Sequence, residues 1–85
     1  MANTKLIDDP ITVTATIDHT GKISPERFTW RQQRYTVIGV GRQWPAEDGQ
    51  HILVETGTGD RFEILLSRED LLWRLRTLWR EELTV

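Results

Sequence analysis

The chain has no cysteine, one methionine, three prolines and two histidines in 85 residues. Without cysteine there is no disulfide framework and no thiolate metal site, so stability has to come from packing, which suits a reducing compartment. His19 and His51 fall short of the three or four ligands of an imidazole-rich zinc site, and both read as ordinary turn or strand residues. No stretch approaches the roughly 18 consecutive apolar residues of a membrane-spanning helix. Residues 1–10 carry only Leu6 and Ile7 as a large apolar run, too short for the apolar core of a signal peptide. These absences lead to the expectation of a single cytoplasmic domain, 1–85, without a membrane role and with residues 1–10 as a flexible or loosely ordered segment.

What the chain does have is aromatic bulk and arginine. Trp30, Trp44, Trp73 and Trp79, with Phe28, Phe62 and Tyr35, each bring about 150–250 Å² of buriable side chain, which a short chain needs to build a core. The formal net charge of -2 conceals an uneven distribution. Between Arg27 and Ala46 stand four arginines and no acidic residue, and between Leu71 and Arg80 three arginines and none. Arginine forks onto phosphate and carboxylate, but its stem also covers apolar surface while the charge stays in water.

Alternation dominates the pattern. Ile11, Val13, Ala15 and Ile17 share one face of a strand whose other face is Thr12, Thr14, Thr16 and Asp18. Asp18–Gly21 reads as a turn, Arg27–Arg31 as a strand, Gln32-Gln33 as a weak hairpin tip and Arg34–Val40 as the returning strand. Gly39 and Gly41 suggest a bulge, Trp44-Pro45 a strand end, and Pro45–Gln50 a polar loop. His51–Thr56 and Arg61–Leu66 flank Gly57-Thr58-Gly59-Asp60 as a β-hairpin; nothing after those glycines starts the helix that a phosphate loop needs. The alternating positions Ile11, Val13, Ile17, Trp30, Tyr35, Val37, Phe62, Ile64 and Trp73 are expected to form one core.

The segment from Ser67 onward fits two templates. Leu71, Leu72, Leu75, Leu78 and Trp79 lie on one helical stripe behind a Ser67–Asp70 cap, which gives an α+β domain with a helix over 68–82 packed on the sheet. Trp73, Leu75, Thr77 and Trp79 also alternate as a strand would. A helix would leave Trp73 among Arg76, Thr77 and Arg80, an exposed place for so large an apolar ring.

Phe28-Thr29-Trp30-Arg31, then Tyr35, Val37, Val40 and Trp44, then Phe62-Glu63-Ile64-Leu65 and Trp73-Arg74-Leu75 resemble a family of short bacterial domains of unknown function. Two positions depart from its pattern. Gln32 stands where members often have a turn glycine, and Leu71-Leu72 where they often have turn residues. The resemblance implies a final strand, and so a mainly β fold of about six antiparallel strands in a rolled sheet or small open barrel. Some members are encoded near a translesion-polymerase-like protein, which implies a role close to DNA repair; no activity comes with the resemblance.

The chemistry of the residues adds little. The carboxylate pairs Asp8-Asp9, Glu47-Asp48, Glu69-Asp70 and Glu81-Glu82 fall in terminal or turn segments, where a general acid and base are not driven apart in pKa. Neither Ser24 nor Ser67 has a base and an orienting partner in view. We therefore expect no enzyme, and assign no catalytic, cofactor-binding or metal-ligating residue and no cofactor. The expectation is a non-catalytic binding or adaptor domain. In it Arg27 and Arg31 on one strand, and Arg74 and Arg76 on another, form a face for nucleic acid or a DNA-repair protein. The alternative is a protein-interaction or self-associating module with no nucleic-acid role.

Overall fold

The computed structural model describes residues 2–81, which form β1 (Ala2–Ile17), β2 (Ile23–Trp30), β3 (Gln33–Ala46), β4 (Gly49–Thr56), β5 (Arg61–Ser67) and β6 (Trp73–Glu81). Each strand lies antiparallel beside the next, and β1 closes the barrel against β6. The fold is thus all-β, and the rolled sheet closes into a small barrel. One long strand makes closure possible, because β1 pairs with β6 over Ala2–Ile11 and with β2 over Thr12–Ile17. Residues expected to be loosely ordered therefore supply the closing half of β1. Their polar pattern, with Asp8-Asp9 and Pro10, hid the strand.

Alternation decides which side chains go in. On β4, Ile52, Val54 and Thr56 are buried while Leu53 and Glu55 between them are half-buried. Phe28, Phe62, Ile52, Ile64 and Leu75 are the largest apolar side chains to be fully enclosed. Phe28 stacks on Tyr35 at 5.1 Å between ring centroids, and the edge of Phe62 meets both rings at 5.1 Å, the offset and edge-to-face geometries that ring quadrupoles favour. Of the expected core, Trp30, Tyr35, Phe62 and Ile64 are buried, and Ile11, Val13, Val37 and Trp73 pack against them half-buried. Ile17 does not join; it is 58% exposed where β1 gives way to the Asp18–Gly21 turn.

The turns differ from expectation in detail. The β2–β3 tip is Arg31-Gln32, closed by the Trp30↔Gln33 pair, with φ of 51° and 67°. That is the left-handed pair of a two-residue hairpin, which usually takes Asn or Gly. Strand β3 runs through Trp44-Pro45 to Ala46, and the loop after it shrinks to Glu47-Asp48. Ser67–Leu72 is a hydrogen-bonded turn in which the Leu71 amide donates to the Ser67 carbonyl and the Ser67 amide to that of Leu72. It delivers the final segment as strand β6, paired with β5 from Arg61↔Trp79 to Leu66↔Trp73.

Candidate functional site

The four arginines expected on one face divide three to one. Arg74 Nε donates to Asp8 Oδ1 at 3.0 Å, and Arg76 lies 3.7 Å from the same carboxylate and 3.4 Å from that of Asp48. On the next residue, Asp9 Oδ2 accepts from Trp30 Nε1 at 2.8 Å and from Arg31 Nε at 3.0 Å, while the Arg31 guanidinium also sits 4.7 Å over the Trp30 ring. The Trp30 hydrogen bond first, and then the Arg31 guanidinium, hold the Asp9 carboxyl below its ordinary value against the opposing effect of desolvation. Arg31, Arg74 and Arg76 therefore gather along the Asp8-Asp9 segment of β1, with their charge largely matched.

Arg27 lies elsewhere. It shares a shallow cleft of about 290 Å³ with Arg34, Thr12, Thr14, Thr29 and the edge of Phe28. The registers Thr12↔Thr29 and Thr14↔Arg27 from β1 to β2, and Thr29↔Arg34 from β2 to β3, place these side chains on one outer face. Among the described residues no carboxylate lies within ion-pair distance of Arg27 or Arg34. Two guanidinium forks thus stand beside three hydroxyls, a face rich in hydrogen-bond donors with no carboxylate partner among the described residues. Arg34 was not singled out from the sequence; the signal was its place on β3 one pair from Thr29, which requires the hairpin register.

A second polar cluster was also missed. The buried His51 ring on β4 bridges two carboxylates, with Nε2 2.7 Å from Asp48 Oδ1 and Nδ1 2.7 Å from Glu63 Oε2. Thr77 Oγ1 donates to the other oxygen of Glu63 at 2.9 Å, and Trp44 stacks on the imidazole at 5.2 Å. Burial works against the imidazolium, but the hydrogen bonds and charges of Asp48 and Glu63 outweigh it and raise its pKa above the ordinary value. The carboxylates occupy opposite ring nitrogens, so the three do not converge on one point. No group of three metal-binding side chains does so among the described residues. His19 lies exposed in its turn.

A largely apolar concavity of about 510 Å³ runs over Gly39, Gly41, Leu53 and Trp79. Among the described residues no helix is long and apolar enough to cross a membrane. No curated protein and no solved structure matches the chain. A family model does match, over residues 1–82, and the chain belongs to that family, described as Domain of unknown function (DUF6504).

Proposed function

We propose that this is a non-catalytic binding domain of the bacterial cytoplasm that holds the phosphate backbone of nucleic acid on the outer face of β1–β2–β3. The observation that supports it is the cleft in which Arg27 and Arg34, without acidic partners among the described residues, stand beside Thr12, Thr14 and Thr29. Phosphate contacts supply affinity without reading sequence, so binding through this cleft is sequence-tolerant. Arg31, Arg74 and Arg76 contribute less, since each already faces Asp8, Asp9 or Asp48. A place beside DNA-repair proteins, implied by the family resemblance, accords with this reading.

Titrating single- and double-stranded DNA and RNA at low salt tests it. Arg27→Ala with Arg34→Ala is expected to weaken binding and to lower the logarithmic salt slope by about two units, one per lost phosphate contact. Arg74→Ala with Arg76→Ala should do less. Absence of binding at high micromolar protein, or equal binding by the Arg27 and Arg34 variant, overturns the reading.

A second reading, a protein-binding adaptor, is favoured by one feature. Leu71 and Leu72 are adjacent, 72% and 60% exposed, and held out on the Ser67–Leu72 turn with Leu71 at a φ of 60°. Adjacent apolar side chains held out on a fixed turn form an exposed apolar patch of the kind that protein contacts cover.

A further inference from the structure

We infer that the Asp48–His51–Glu63 bridge is a proton-operated latch, in which loss of one proton from the His51 ring releases the Asp48 turn from the barrel wall. An ionised carboxylate only accepts hydrogen bonds, so with one at 2.7 Å from each ring nitrogen both nitrogens must carry hydrogen. Neutral imidazole has one N–H. Deprotonation therefore leaves one carboxylate facing a lone pair at hydrogen-bond distance.

The surroundings decide which carboxylate lets go. Glu63 sits within β5, paired on both sides, with its side chain 19% exposed and its second oxygen held by Thr77. Asp48 belongs to a two-residue turn and is 47% exposed. Asp48 is the mobile partner. Its side chain also meets Arg76 at 3.4 Å, and its carbonyl accepts the Arg68 amide at 2.9 Å, while the Ala46↔Gly49 and Gly49↔Ser67 pairs anchor the ends of the turn.

The other charges around the ring are accounted for by element. From β3, Arg42 lies 5.1 Å over Trp44, which stacks on the imidazole. From β6, Arg76 reaches Asp48, and from β1, Asp8 reaches Arg76. Release of Asp48 thus removes one of the two carboxylates beside Arg76 and opens the cleft that Asp8, Asp48, Arg68 and Arg76 line. Protonation of one buried ring thus controls the charge and shape of the cleft that Asp48 lines.

The test uses the unmodified chain. A proton–nitrogen NMR titration should show two ring N–H groups on His51 at low pH and a titration above the ordinary imidazole value of about 6.5. Hydrogen exchange of the Arg68 amide, corrected for intrinsic base dependence, should show opening that grows through that titration. The growth is about tenfold for each unit separating the His51 pKa in the closed and open forms. Core amides such as Ile52, which exchange only through global unfolding, should stay far better protected than Arg68 at every pH. Asp48→Asn keeps an acceptor without the charge, so in that variant the His51 titration should move down and the Arg68 step should shrink. Arg68 opening that is unchanged through the His51 titration, or an equal step in Asp48→Asn, overturns the latch.

Discussion

Arg31 and Gln32 show what a turn costs when it lacks glycine. Left-handed backbone disfavours residues with a Cβ by roughly 1–2 kcal/mol each, yet both take it, at φ 51° and 67°. Asp9 helps to hold them there, bonding Trp30 on one side of the tip and Arg31 within it. Gln32→Gly should therefore raise stability by about 0.5–1 kcal/mol, the strain relieved exceeding the extra freedom gained by the unfolded chain. Gly49 is the opposite case. Its φ is 148°, and a Cβ there would overlap the Leu66 carbonyl and lie 3.0 Å from the Arg68 amide, both backbone groups that cannot turn aside. Gly49→Ala should cost about 3 kcal/mol or more. Urea midpoints of the two variants should move in opposite directions, and a shared direction would refute the account. The hairpin's existence was legible in the sequence, but its tip lies one residue earlier than Gln32-Gln33 suggests. The stabilising contact comes from Asp9, in a segment whose composition looked unstructured.

At the level of elements, the final segment shows how tertiary pairing overrides local propensity. Leu71, Leu72, Leu75 and Leu78 form a sound helical stripe, but only Leu75 and Leu78 are buried. Leu71 and Leu72 remain outside in the turn, and Asp70 fixes that turn by accepting the Leu72 amide at 3.0 Å. What decides for the strand is the presence of β5 and β1 on its two sides, so that both backbone edges of β6 are satisfied. The misplaced Trp73 was the sequence signal that pointed the right way, since pairing with Ile11 and Leu66 half-buries it. Phe62 is fully enclosed, so Phe62→Ala should cost about 3–5 kcal/mol, whereas half-buried Trp73→Ala should cost about 2. Equal losses in denaturation midpoint, or the reverse order, would show that the core is centred elsewhere. Beyond Thr36, strand β3 pairs with β4 alone, and it carries the usual protections of an edge: two register shifts, Pro45 and the charge of Arg42. The glycines that flagged a bulge in the sequence mark this stretch.

For the whole molecule, the ionisable groups define a pH window that neither composition nor net charge reveals, because it depends on partners far apart in the chain. Asp60 is buried in the β4–β5 turn, where Arg80 Nε and Nη2 donate to its two oxygens at 3.1 and 3.2 Å. The Arg80 hydrogen bonds hold its carboxyl below the ordinary aspartate value, and Asp9, Asp18, Asp48 and Asp70 are shifted the same way by their own partners. A carboxyl with a depressed folded pKa adds stability above its unfolded value and loses it as pH falls through the folded one. His51 has the opposite sign: its raised pKa adds stability that is complete below 6.5 and is lost as pH rises through the folded value. Stability should therefore be greatest between about pH 4 and 6.5 and decline on both sides. Urea unfolding at successive pH values tests both limbs, and two variants separate them. His51→Gln removes the titrating ring and should flatten the decline on the basic side, while the acid limb loses only the share that Asp48 owes to His51. Asp60→Asn leaves Arg80 without a charged partner and should lower the plateau while making the acid limb shallower, with the basic limb unchanged. A wild-type midpoint that stays level from about pH 6.5 to 9, where an imidazolium with a raised pKa must titrate, would mean that the His51 bridge contributes nothing to holding the barrel together.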